Sequence, residues 1–198
     1  MKILLNLIMI FSLGLLTSCA YSRTEMKVDY SPNIRAVSLF SPSSKSIIIA
    51  QVKDERGVSD PALIFQKSNA YGKTTGYYAA DKPLAEIINT GLIKGLESSN
   101  YRLAPDNANY VLLATLQDLA ADKIQGAWSG GTLKTKMTIR FEVIDKSSGK
   151  GIWRDTLIGR SSIECGWCVP YFNQAVTLTT DDVISRLLDN QAFQDIFR

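Results

Sequence analysis

Histidine is absent from all 198 residues. That absence removes, at one stroke, His-based catalytic triads, His-ligated zinc and the side chain best suited to moving protons near neutral pH. Cysteine is scarce, with three in the chain, and neither sign of charge dominates: 22 Lys and Arg stand against 19 Asp and Glu, for a net charge of +3. A chain so balanced, with no basic stripe interleaved with aromatics, is not composed to bind nucleic acid. Apolar runs are missing beyond Leu16, and even the run that ends there falls short of the roughly 20 residues needed to span a bilayer. The Gly-rich "GAWSGG" (126–131) lacks the Lys-Ser/Thr of a phosphate loop and reads as a bend between strands. Carboxylates are scattered at Asp54, Glu55, Asp81, Asp118, Asp122, Asp181 and Asp182. No catalytic residue, metal site or cofactor site emerges, and an enzyme is not expected.

What is present begins at the amino terminus, "MKILLNLIMIFSLGLLTSCA". Lys2 precedes an apolar run from Ile3 to Leu16, and small residues close it, the pattern of a secretory signal. The run ends in Leu16-Thr17-Ser18-Cys19, which resembles the bacterial lipobox. That resemblance implies cleavage before Cys19, a diacylglyceryl thioether on its sulfur and an acylated amino terminus. Several acyl chains hold a membrane firmly, whereas one holds it only marginally. The alternative is an ordinary secretory signal with an incidental Cys. Ala20, not Asp, follows the Cys; by analogy with enterobacterial sorting this favours the outer membrane, facing the periplasm. The resulting plan is a signal at 1–18, a lipidated terminus and tether at 19–45, and one periplasmic domain at 46–198. That length suffices for a single core.

Residues 20–46 are polar and rich in Ser and Pro, which suits a tether; a short strand near 34–40 is the competing reading. "SIIIAQVKD" (46–54) is a β-branched strand. The segment 58–80 lacks a clear period and holds Tyr71, Tyr77 and Tyr78. Two readings stand for it, a partner-binding tip or a hairpin that covers a sheet edge. Asp81 is placed to cap a helix with Pro83 in its first turn, and Leu84, Ile87, Ile88, Leu92 and Leu96 give that helix an apolar face. Gly91 and Gly95 are expected to bring it close to a sheet, and Asn100 to stop it. Strands follow at 110–120, 131–145 and 152–163, with turn chemistry in "KSSGKG". The alternation at 131–145 puts Lys134, Lys136, Thr138, Arg140 and Glu142 on one face. That face reads as solvated, with docking as the alternative. The last helix falls within 172–197, and Asp181 and Asp182 after Thr179 and Thr180 suit an N-terminal turn. The order β-α-β-β-β-α predicts an α+β domain, a mainly antiparallel sheet of about four strands with two main helices on one face.

These pieces together resemble the YajG-type family of uncharacterised bacterial lipoproteins. The residues concerned are the lipobox, "KVDYSPNI" (27–34), "VKDERG" (52–57), "LESSNYRL" (96–103), "VLLATLQDLAADKIQG" (111–126) and the hairpin at 135–160. The resemblance implies an outer-membrane-anchored periplasmic domain with no known reaction. The chain departs from that pattern in its long 58–80 segment and in "CGWC" (165–168).

If lipidation consumes Cys19, two thiols remain, Cys165 and Cys168. In an oxidising periplasm they are expected to pair as a structural disulfide that presents Trp167. Two thiolates without a third or fourth ligand do not make a zinc site. A redox dithiol is the rival reading, but the motif comes late, after a hairpin strand, and "VPYF" should delay the next helix. The functional expectation is a non-enzymatic interaction or assembly module. It would be anchored in membrane lipid through Cys19 and dock an envelope protein through Trp167, Tyr71, Tyr77 and Tyr78. A thiol–disulfide protein, or an auxiliary lipoprotein of an envelope transport or cell-wall synthesis complex, is the alternative.

Overall fold

The computed structural model describes residues 21–34, 45–68, 71–125, 131–166 and 168–198. The signal segment, Cys19, most of the expected strand at 34–40, Trp128 and Trp167 lie outside these residues. In chain order the strands are β1 (Ser22–Met26), β2 (Ser46–Ile49), β3 (Lys53–Asp54), β4 (Leu63–Ser68) and β5 (Thr74–Ala80). After helix α1 (Leu84–Ser98) come β6 (Arg102–Leu103), β7 (Tyr110–Gln125), β8 (Gly131–Asp145) and β9 (Lys150–Cys165). A 3₁₀ turn (Val169–Tyr171) leads into α2 (Phe172–Leu188), and α3 (Gln191–Asp195) ends the chain.

The period-2 pattern at 131–145 becomes the centre of the molecule. Leu133, Met137, Ile139, Phe141 and Val143 of β8 are buried, and Lys134 and Lys136 on its other face are exposed. β7 and β9 flank it antiparallel, with one extra residue in β9 at Ile152 and one in β7 at Gln117. The second of these switches the buried face of β7 from Leu112, Ala114 and Leu116 to Leu119 and Ala121. Both long helices pack on the buried face. α1 contributes Leu84, Ile87, Ile88, Leu92 and Leu96, and α2 contributes Val176, Val183, Ile184, Leu187 and Leu188. Each such side chain taken from water stabilises the fold by about 1.5–3 kcal/mol before entropy is counted. Phe193 and Phe197 close the core against Tyr101, Tyr110 and Trp153.

The α+β class holds, but the sheet is larger and more mixed than the four-stranded antiparallel sheet expected. The order is β6-β2-β7-β8-β9, with β3 also on β7, and β1-β5-β4 forms a separate three-stranded sheet. β2 and β3 run parallel to β7 because α1 lies between them in sequence and the chain must cross over to return. The 46–54 strand is broken at Ala50–Val52, although Ala50 N–H still reaches Leu112 O at 2.9 Å. The 58–80 segment is a hairpin, β4–β5, on the second sheet.

At the other side of the larger sheet, no strand among the described residues pairs with the outer edge of β9. Two of its amide groups are taken by carboxylates. Arg160 N–H donates to Asp182 at 2.8 Å, and Thr156 N–H donates to Asp155 at 2.7 Å.

Candidate functional site

The segment expected to be a tether is, from residue 21 to 34, part of the folded body. β1 lies parallel to β5 in the register Ser22 to Gly76 through Met26 to Ala80. Arg23 bridges Glu25 (2.6 Å) and Asp60 (3.0 Å), and Lys67 Nζ donates to Ser22 Oγ at 3.1 Å and to Thr24 Oγ1. Burial pushes the Asp60 carboxyl up, but Arg23, the Ala62 N–H and Tyr77 together hold it below its ordinary value. The sequence carries no period-2 apolar signal for this strand, because Ser22 to Glu25 are all polar and most of β1 is exposed.

Beyond β1 the chain runs over the helices as a strap. Val28 is buried, and its N–H donates to Asp81 Oδ1 at 3.0 Å. Asp81 is therefore not the helix cap expected; Pro83 occupies that position, and no side chain caps the helix there. Tyr30 then places its hydroxyl in a notch over Gly91, where an added Cβ would collide with that oxygen and with Ile184. Ile34 sits likewise over Gly95. The two glycines thus serve the strap and the contact with α2, rather than a close approach to the sheet.

The Tyr30 hydroxyl donates to Asp181 Oδ1 at 2.8 Å, and Asn33 N–H donates to Asp181 Oδ2 at 3.2 Å. Burial pushes the Asp181 carboxyl above its ordinary value, and these two donors only partly oppose it. Asp181 is thus a mid-helix latch residue, not a helix-start charge, because α2 begins nine residues earlier at Phe172. Thr179 and Thr180 are buried in the helix and return their hydroxyls to the carbonyls of Ala175 and Val176.

Three tyrosines were grouped as partner-binding candidates, and the structure separates them. Tyr71 stands at the β4–β5 turn with 94% of its surface exposed. Tyr77 packs against Tyr21, ring centroids 5.7 Å apart, on one side of β5. Tyr78 points the other way, edge-on to Phe172 at 4.8 Å with Lys67 Nζ over its ring. Tyr21 is 61% exposed. Sequence offered only its place two residues after Cys19 as a signal.

Cys165 and Cys168 are joined by a disulfide with Cα atoms 5.0 Å apart. Both are buried, at 6% and 0% exposure. As expected, the residues that follow delay the α-helix: Val169–Tyr171 form a 3₁₀ turn, and α2 begins only at Phe172. The bond ties the end of β9 to the start of this helical run, with Phe172 wedged between Phe65 and Tyr78 of the small sheet.

The open face of the larger sheet carries cross-strand rows. Ala120, Lys136 and Arg160 form one, and Asp122, Lys134 and Ser162 the next. Together with Thr135 and Ser161 they line a shallow groove of about 460 Å³. Nearer β3, Arg140 pairs with Glu55 at 3.2 Å, and Glu142 with Arg154 at 2.8 Å. No helix among the described residues is long and apolar enough to cross a membrane.

No family model and no curated protein matches the chain. Among solved structures it is similar to XCC0632 of Xanthomonas campestris, a DUF330 protein. The TM-score is 0.61 and the identity 15%, with 87% of this chain and 98% of that one covered. A second, described as an uncharacterized protein, gives 0.52 at 9% identity, covering 85% of this chain and 97% of that one. A minor lipoprotein of Acinetobacter baumannii gives 0.39 at 15% identity, covering 77% of this chain and 92% of that one. At such identities the first two establish a shared fold.

Proposed function

We propose that this chain is a lipid-anchored periplasmic module of the bacterial outer membrane, of the YajG type, which acts by docking an envelope partner rather than by catalysis. The observation that carries the reading is the junction at its amino terminus. A lipobox ending in Cys19 is followed, after only two residues, by a strand built into the domain. Acylation there attaches a folded body, not a loose tail, to the membrane.

The groups a reaction would need are engaged structurally. Asp181 latches the strap. Asp54 is held by Arg56 at 2.6 Å, which more than offsets its burial and keeps its carboxyl below the ordinary value. Burial of both cysteine sulfurs supports a structural bond over a redox dithiol. The experiment is metabolic labelling with palmitate, with fractionation of the envelope. The wild-type chain is expected to carry label and to sediment with outer membranes. A Cys19→Ser variant that still does so would overturn the anchoring.

A further inference from the structure

We propose that the turn end of the small sheet, with Tyr21, Tyr71 and Lys73 around the start of β1, is a membrane-docking surface that seats the domain in the phospholipid headgroup layer. The proposal rests on acylation of Cys19 and adds to it a fixed orientation. Three Cα steps separate Cys19 from Ser22, a reach of no more than about 11 Å. The polar layer of one leaflet is itself roughly 5–7 Å thick. Whatever surrounds Ser22 in an acylated chain therefore lies within the headgroups or no more than a few ångströms above them.

Ser22 cannot swing away from its sheet. The β1–β5 ladder, the Arg23–Asp60 bridge and the Lys67 contacts to Ser22 and Thr24 fix it, and the strap carries that attachment on to α1 and α2. Because β1 and β5 are parallel and Ser22 lies opposite Gly76, the chain enters the sheet at the end where the β4–β5 turn projects. That end offers the side chains a bilayer interface favours. Tyr71 is the most exposed large hydrophobic side chain described, and Tyr21 is also exposed. Tyrosine buries its ring among lipid while its hydroxyl stays wet, and lysine extends its ammonium to phosphate.

The opposite pole is different. The β8–β9 turn, with Ser147 and Ser148, lies beside Asn109 and the start of β2, past the end of α1 remote from Asp81. The turn itself, residues 146–149, carries no aromatic side chain.

The test uses the full chain, processed and acylated in cells and reconstituted into phosphatidylcholine–phosphatidylglycerol vesicles that contain headgroup-nitroxide lipid. A fluorophore is placed on a new thiol by Tyr71→Cys or, separately, Ser148→Cys. The native thiols do not compete, since Cys19 is acylated and the other two are bonded. Loss of fluorescence at position 71 with none at 148 is the expected result. Equal fluorescence at both positions in protein that carries palmitate would overturn the seating and leave the anchor standing. Protein that takes up no palmitate would overturn both.

Discussion

Replacing Gly91 by Ala sets two effects against each other, and the strap decides the sign. Gly91 lies inside α1, where Ala is favoured over Gly by about 1 kcal/mol from backbone entropy alone. The added Cβ, however, would overlap the Tyr30 hydroxyl and approach Ile184 Cδ1 to 2.5 Å. Ile184 can turn its flexible end aside at a cost of about 0.5–1.5 kcal/mol. Tyr30 cannot yield without breaking its 2.8 Å bond to Asp181, and a hydrogen bond to a charged group contributes about 1.5–3 kcal/mol. The net expectation is destabilisation by about 2 kcal/mol, or roughly 4–8 °C in Tm for a chain of this size.

A double-mutant cycle isolates the cause. With Tyr30→Ala already in place, Gly91→Ala should be close to neutral, giving a coupling of about 2 kcal/mol. Urea unfolding followed by far-ultraviolet circular dichroism measures all four proteins. Equal effects of Gly91→Ala in both backgrounds, or stabilisation in the native one, would show that Tyr30 does not occupy the notch.

Two further outcomes follow from groups already described. The Asp181 carboxyl sits above its ordinary value of 3.8 in the folded chain, so the native state binds its proton more tightly than the unfolded state does. Stability contributed at this site is therefore fully present below the ordinary value and is lost as pH rises through the native one. Asp181→Asn should flatten that descent in chemical denaturation measured across the acid range, and an unchanged profile would refute the assignment. Replacing Cys165 and Cys168 together by Ser opens a very short loop, for which chain entropy predicts a loss of about 2 kcal/mol. A cooperative transition should persist at a lower urea midpoint; a non-cooperative one would mean the bond organises far more than its corner.

Regular elements with a strong period were legible in the sequence. β8 spans 131–145 as its alternation requires, and α1 falls within one or two residues of its apolar face, stopped by Asn100 at a φ of 61°. What sequence could not show depends on contacts between distant segments. The strap has no period of its own, and its residues become informative only when Tyr30 is seen against Gly91 and Asp181. Asp181 beside Asp182 looked like a helix start because local rules favour acids there, yet tertiary burial places the pair in mid-helix. The parallel return of β7 is likewise a property of the crossover, not of either strand. At the candidate docking end, Tyr71 stood out as an aromatic in a polar segment, but its place at the same end as Ser22 is set by the β1–β5 register.

For a chain held on a membrane, the occupied edge of β9 has a colloidal consequence. Tethering confines neighbouring copies to a plane and gives them a common heading, which brings long open edges alongside one another. Strands in that arrangement can zip into continuous sheets through their free amides. Asp155 and Asp182 withhold two of those amides, at Thr156 and Arg160, and each carboxylate is held in turn from within the domain, by Asn190 and by Arg186. Two copies meeting edge to edge would therefore find those two donors already bonded within each domain, and the edge offers fewer free amides for pairing.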